Sequence, residues 1–223
     1  RRRFEDEARA AARLNHPSVV QVFDSGEWEG RPFLVMELLS GRTFADEMAG
    51  GPLPIERVRT VGSDVLDALG AAHAGGVLHR DVKPANLLVA DGGTVKIADF
   101  GIAKADPVQG EHSASDPSPP TMTGQVLGTP SYLPPERVAG HRATPASDLW
   151  ALGVVLWEAL AGRRAFPGSG IQTAMAVAST DLAPTAEIRP DADPALARAV
   201  DVAVRRDPAA RWESAAAMRT ALL

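Results

Sequence analysis

Cysteine is absent from the 223 residues, which excludes disulfides and thiolate metal sites and fits a reducing compartment. No apolar stretch reaches the ~20 residues that span a bilayer. The longest lies around Ala151 to Leu156. A signal-peptide pattern is missing as well. The five histidines, at 16, 73, 79, 112 and 141, show no HExxH-like spacing, which argues against a metal held by imidazoles. Apart from Arg1-Arg2-Arg3, which opens a helical pattern and reads as a solvated face, there is no Lys/Arg run. The net charge is −5 and the pI about 5.6, so no nucleic-acid partner is expected. No internal repeat is present.

What is there is an ordinary globular composition, 45% apolar, enough to bury a core in one domain or in two lobes sharing one. Phe4, Ala8, Ala11, Ala12 and Leu14 recur at helical spacing and predict a helix over 2–14, ending before Asn15-His16-Pro17. The chain starts on Arg inside this pattern, as it would at a cut. Val19–Phe23 and Phe33–Glu37 read as the strands of a hairpin, separated by Gly26 and by Gly30 with Pro32. Leu39–Arg42 reads as a linker, Thr43–Ala49 as a small helix, and Ile55–Ala74 as a longer helix closed by Gly75-Gly76. Val95 and Ile97 alternate with Thr94 and Lys96, as in a strand. Residues 105–124 are polar and proline-rich without an apolar period, which predicts a mobile loop. Thr144-Pro145 supplies an N-cap and a first-turn proline to a helix reaching Ala161. That helix is apolar almost all round, which predicts a buried, central element. Helices near 169–178, 194–205 and 214–222 complete a mostly helical half.

The chemistry concentrates in His79-Arg80-Asp81-Val82-Lys83-Pro84-Ala85-Asn86, with Asp99-Phe100-Gly101 following at the end of the Val95/Ile97 strand. Phosphoryl transfer asks little covalent work of a protein. It needs metal to neutralise charge, a carboxylate to accept a hydroxyl proton, and positioning. Two aspartates and an asparagine at these spacings supply that set, since magnesium prefers hard oxygen ligands, one or two carboxylates among them. Here the sequence resembles the eukaryotic-like protein kinase family, whose HRDxKxxN and DFG motifs it repeats.

That resemblance implies an α+β, two-lobed protein kinase-like fold, divided into residues 1–39 (a partial N-lobe with αC, two or three strands and the hinge) and 40–223 (a mostly helical C-lobe). It implies Asp81 as catalytic base, Asn86 and Asp99 as magnesium (or manganese) ligands, and Lys83 as the lysine that steadies the γ-phosphate. Phe100 and Gly101 complete the motif, with Phe100 setting where Asp99 points. His79 supports Phe100 and the loop backbone, and Arg80 offers a guanidinium to a phosphate. Met36 falls at the gatekeeper position of the hinge strand, backbone groups of Glu37 and Leu39 at the adenine, and Leu88 beneath its ring. Thr129 matches the threonine bridging the catalytic aspartate and lysine in Leu127-Gly128-Thr129-Pro130-Ser131-Tyr132-Leu133-Pro134-Pro135-Glu136, where Pro134 stands for the family's usual Ala. Asp148 matches the anchor of the catalytic loop, and Arg211 the partner of Glu136. Glu7 matches the αC glutamate. Thr121 and Thr123 resemble the paired activation-segment threonines of bacterial members, with Ser113, Ser115 and Ser118 as weaker candidates.

No lysine precedes Lys83, and no Gly-rich loop precedes the αC pattern, so the ATP-binding lysine and that loop are read as missing. Asn15-His16-Pro17, His-Arg-Asp-Val-Lys-Pro-Ala-Asn and Asp-Phe-Gly-Ile-Ala-Lys together resemble the bacterial, especially actinobacterial, branch. The implied activity is serine/threonine protein kinase, with ATP and Ser/Thr-bearing proteins as partners and a kinase dimer for trans-autophosphorylation. The implied location is cytoplasmic, with a membrane-anchored longer parent as a feature of the branch. A pseudokinase or kinase remnant acting as a binding module is the alternative. A small-molecule phosphotransferase shares the architecture but typically shows His-Gly-Asp and no Ala-Pro-Glu-like segment, which His79-Arg80-Asp81 and Pro135-Glu136 contradict.

Overall fold

The structure is a computed structural model that describes residues 14–29, 31–100 and 130–223. The predicted helix over 2–14, all but its last residue, and the segment 105–124 lie outside the described residues.

Strands β1 (Val22–Trp28) and β2 (Arg31–Met36) form the expected antiparallel hairpin, but the first strand lies further along the chain than predicted and the second begins two residues earlier. Val19 and Val20 belong instead to an attachment. The Val20 N–H donates to the Ile97 carbonyl at 3.0 Å, the Ile97 N–H to the Ser18 carbonyl at 2.9 Å, and Val19 is buried. With those backbone groups taken, pairing starts at Val22. Gly26 is not a break between strands. It sits in β1 opposite Phe33, whose ring occupies the space that a Cβ would need.

A second sheet has the order β3 (Gly41–Thr43), β4 (Leu87–Ala90), β5 (Val95–Ile97), all antiparallel. Part of the expected Leu39–Arg42 linker is therefore strand, because Gly41 and Arg42 pair with Ala90 and Val89. Helix α1 (Phe44–Met48) follows at once, held by a reciprocal capping box between Thr43 and Asp46. Helix α2 (Ile55–Ala74) ends as predicted, the Gly75 N–H reaching the Ala71 carbonyl at 3.2 Å.

After α3 (Pro135–Val138) comes α4 (Pro145–Ala161), started by Thr144 and Pro145. It is buried from Ser147 to Leu160, and Trp150 and Trp157 are among its fully enclosed side chains. Around it pack α5 (Gly170–Ser179), α6 (Thr185–Ile188), α7 (Pro194–Ala203) and α8 (Ala215–Leu222). Leu66 and Leu69 of α2, Leu152 and Leu156 of α4, Leu196 of α7 and Met218 of α8 fill one continuous core. No helix among the described residues is long and apolar enough to cross a membrane.

Candidate active site

Residues 79–86 join α2 to β4, and their geometry is imposed from both sides. From below, buried Asp148 in the first turn of α4 accepts the His79 N–H at 2.9 Å and the Arg80 N–H at 2.8 Å. The same carboxylate lies 2.8 Å from the Nε2 of His73 in the last turn of α2. Hydrogen bonds of this kind to a carboxylate are worth about 1.5–3 kcal/mol each. They hold Arg80 at φ 64°, a left-handed conformation that a non-glycine residue adopts only when its surroundings enforce it.

From above, His79 reaches the end of β5. Its Nδ1 accepts the Asp81 N–H at 3.2 Å, so the proton sits on Nε2, which donates to the Ala98 carbonyl at 2.9 Å. Complete burial holds the imidazole pKa below its ordinary value, against the raising effect of Asp148, and keeps the ring neutral. Its ring lies 4.7 Å from that of Phe100, so the expected support of Phe100 by His79 is present as a contact.

Asp81, Lys83 and Asn86 come together. The Lys83 ammonium donates to Asp81 Oδ2 at 2.8 Å, and the Asn86 amide donates to the Asp81 carbonyl at 2.9 Å and to Oδ2 at 3.2 Å. Asn86 ends a single 3₁₀ turn, Pro84–Asn86, and its carbonyl accepts the Ala98 N–H at 2.8 Å. Asp99 follows directly, at φ 57° and exposed between buried Ala98 and Phe100. Its carboxylate makes no hydrogen bond or ion pair with any described residue. With its nitrogen turned to Asp81, Asn86 keeps its side-chain oxygen as an acceptor. The two positions thus offer a hard-oxygen donor pair of the kind magnesium takes.

Met36 closes β2, and Leu88 is half-buried on β4. Between β2 and β3, the Glu37 N–H donates to the Gln21 carbonyl at 2.8 Å, while the Glu37 carbonyl and the Leu39 N–H have no backbone partner among the described residues. Lys96 of β5 grips both Glu37 carboxylate oxygens, at 2.7 and 2.8 Å, and this bond holds the Glu37 pKa below the usual carboxylate range. Sequence reasoning missed Lys96 and His73. Lys96 alternates with Val95 and Ile97 in the strand, and nothing near it in the sequence points to Glu37. His73 could have been noticed as the polar residue near the end of an otherwise apolar helix face.

Below the site, Arg211 and Glu136 form a two-armed pair, Nη1 to Oε1 at 2.9 Å and Nη2 to Oε2 at 2.7 Å. Ser147 donates to Glu136 at 2.9 Å, and Arg211 also caps the carbonyls of Ala146, Arg205 and Arg206. Glu7, Gly101, Thr121, Thr123 and Thr129 lie outside the described residues.

Comparison with known proteins agrees with this geometry. The chain matches the protein kinase domain family over residues 1–222. It is 41% identical to the serine/threonine-protein kinase PknA of Mycobacterium tuberculosis over 219 residues, covering 95% of this chain and 48% of PknA. It is 41% identical to PknL of the same organism over 218 residues, covering 97% of this chain and 52% of PknL. Against PknB of Mycobacterium leprae the identity is 37%, covering 99% of this chain and 35% of PknB. The chain thus spans about half the length, or less, of these curated relatives. In fold, it is similar to the crystal structure of Rad53 residues 1–466 in complex with AMP-PNP, with a TM-score of 0.78 over 98% of this chain and 54% of that one at 24% identity. The two-sided clamp on residues 79–86 and the relatives together establish that this chain belongs to the protein kinase domain family, in its bacterial serine/threonine branch.

Proposed function

We propose that this chain is the greater part of a catalytic domain that moves the γ-phosphoryl group of ATP to serine or threonine hydroxyls of proteins. The observation that carries it is the convergence of Lys83 and Asn86 on one oxygen of Asp81, with Asp99 held just beyond. Asp81 accepts the hydroxyl proton as the acceptor oxygen bonds to the γ-phosphorus. The bond from that phosphorus to the β,γ-bridging oxygen breaks, and ADP leaves. Lys83 keeps the Asp81 carboxylate oriented and sets a positive charge beside the transferring group. Asn86 and Asp99 would hold the divalent cation, magnesium or manganese, which neutralises phosphate charge when bound. The Glu37 carbonyl and Leu39 N–H face adenine, with Met36 and Leu88 against its ring. Residues 1–39 are the nucleotide-side lobe and 40–223 the acceptor-side lobe. Thr129 bridges Asp81 and Lys83, Glu7 pairs with a lysine supplied upstream, and Thr121 and Thr123 are the regulatory phosphosites, read by Arg80 once phosphorylated.

Since no lysine precedes Lys83, transfer needs upstream residues carrying a Gly-rich loop and a lysine-bearing strand. The test compares residues 1–223 with an upstream-extended polypeptide in a Mg-ATP assay on a basic acceptor protein. Only the extended form should incorporate phosphate, and Asp81→Asn in it should lower the rate by about 10²–10⁴. A silent extended form would favour a pseudokinase, and equal activity of both forms would refute the need for the upstream segment.

A further inference from the structure

Helix α5 starts without a side-chain cap. Ser169 stands at its N-cap position, extended at φ −149° and ψ 161°, yet its hydroxyl makes no cap bond. The N–H groups of Gly170, Ile171 and Gln172 have no acceptor among the described residues. Those groups form the positive end of the helix dipole. The ten residues of α5 include no acid or base, so nothing within the helix offsets that charge. Just before it, Phe166 is buried and its carbonyl takes the Ser131 hydroxyl at 3.3 Å, which fixes where the chain enters the helix.

A second observation points to a ligand at this end. Thr173, at the close of the first turn, is fully buried, and its hydroxyl has no hydrogen-bond partner among the described residues. A buried hydroxyl left so is costly, and native structures rarely keep one without a use. Helical side chains lean toward the N-terminus, and this one ends beside Gly168. A Cβ on Gly168 would meet the Thr173 oxygen at 3.3 Å and, chain neighbours aside, no other described atom within 4 Å. Gly168 is itself exposed, at φ 105°. Gly170, at φ 59°, has only open space where its Cβ would stand. Two missing side chains thus leave the approach to the helix N–H groups clear, with a gap on the outer side of the buried hydroxyl.

We propose that the N-terminus of α5 binds a phosphate group, carried by inorganic phosphate or by a phosphoserine or phosphothreonine side chain. The N–H groups of residues 170–172 and the Ser169 hydroxyl donate to its oxygens, and the Thr173 hydroxyl donates through the gap at Gly168. A phosphate monoester offers three strong acceptor oxygens around one centre, which suits donors spread over a helix end better than a flat carboxylate does. None of these residues serves the phosphoryl transfer proposed above, and the site does not depend on it.

Amide NMR of 15N-labelled residues 1–223 tests it without requiring activity. Inorganic phosphate is titrated in against chloride at constant ionic strength. The Gly170, Ile171 and Gln172 amides should shift together and saturate, with a Kd of about 1–10 mM. Thr173→Val keeps the shape, removes the hydroxyl and should weaken binding about three- to tenfold. Ser169→Asp, an exposed change, sets a carboxylate cap on the same N–H groups. It should raise Tm slightly and abolish the saturable shifts, so loss of binding there cannot be loss of fold. A second titration with a phosphoserine peptide and its unphosphorylated form separates the two sources. A peptide at least about tenfold tighter than inorganic phosphate assigns the site to phosphorylated protein, and equal affinities assign it to the free ion. Shifts at these amides that do not saturate, or that both variants leave unchanged, overturn the proposal.

Discussion

Replacing Arg211 with alanine strands a buried carboxylate at the foot of α4. The Arg211 side chain is fully enclosed and that of Glu136 is 8% exposed. Their two-armed bond is joined by three hydrogen bonds from Arg211 to backbone carbonyls. Its guanidinium carbon also sits 4.9 Å from the Trp150 ring centroid. After the change, Ser147 and the Glu136 backbone N–H are the donors left to this carboxylate among the described residues. Removing one partner of a buried pair costs about 3–5 kcal/mol. At about 2–4 °C per kcal/mol for a chain of this size, Tm should fall by roughly 6–20 °C.

The pH dependence supplies an independent check. In the native protein burial raises the Glu136 pKa, but the hydrogen bonds and charge of Arg211 outweigh it and hold the group below its ordinary value. The stability it contributes is therefore complete above the unfolded pKa near ~4.3 and is lost as pH falls through the folded one. Without Arg211 the raising effect of burial faces only weaker opposing hydrogen bonds, that of Ser147 among them, so Glu136 takes up a proton more readily and the variant's deficit shrinks in acid. Thermal unfolding by circular dichroism at neutral pH and near pH 4 should show the two curves converging. A neutral-pH drop under about 2 °C, or a gap that widens in acid, would refute the reasoning. The double change Glu136→Leu with Arg211→Met should cost much less than Arg211→Ala, because no charge is left without a partner.

Two further outcomes follow from the clamp on residues 79–86. Asp148→Asn should cost at least about 2 kcal/mol, since a neutral amide replaces the acceptor of the His79 and Arg80 N–H groups. Hydrogen exchange at those two amides should quicken more than at the α4 core, and unchanged protection would count against the anchor. His79, whose folded pKa is depressed by burial, should make stability fall by up to about 1.4 kcal/mol per pH unit below ~6.5, where the unfolded chain binds the extra proton. Urea unfolding between about pH 7 and pH 5.5 measures that slope, and a flat profile shared with His79→Asn would sink the neutral-imidazole assignment.

What the sequence made legible, and what it hid, divides along contact distance. Asp81, Lys83 and Asn86 lie within one turn and a short loop, so their spacing alone announces the cluster the structure displays. The long helices Ile55–Ala74 and Pro145–Ala161 were equally readable, through the closing Gly75-Gly76 in one and cap chemistry in the other. Strand β4 was not, because Leu87-Leu88-Val89-Ala90 has no polar alternation. Helices α3 and α6, four residues each, are too short to show a period. The hairpin was misplaced because backbone bonds to Ile97, across more than seventy residues, took Val19 and Val20 out of it. His73 and Lys96 likewise owe their places to Asp148 and Glu37, far off in the chain.

The same division bears on how the site works. Arg80 and Asp99, at φ 64° and 57°, hold backbone conformations that cost about 1–3 kcal/mol each for such residues. Neither residue is a glycine, so the surrounding bonds must hold them there. Asp148, on α4, enforces the first by accepting the consecutive His79 and Arg80 N–H groups. The second is enforced by Ala98, whose N–H and carbonyl are fixed by Asn86 and His79. The residues able to do chemistry are thus written locally, while the strain that aims them comes from the core. A substitution far from Asp81, in α4 or β5, can therefore disarm the site while every motif residue stays in place.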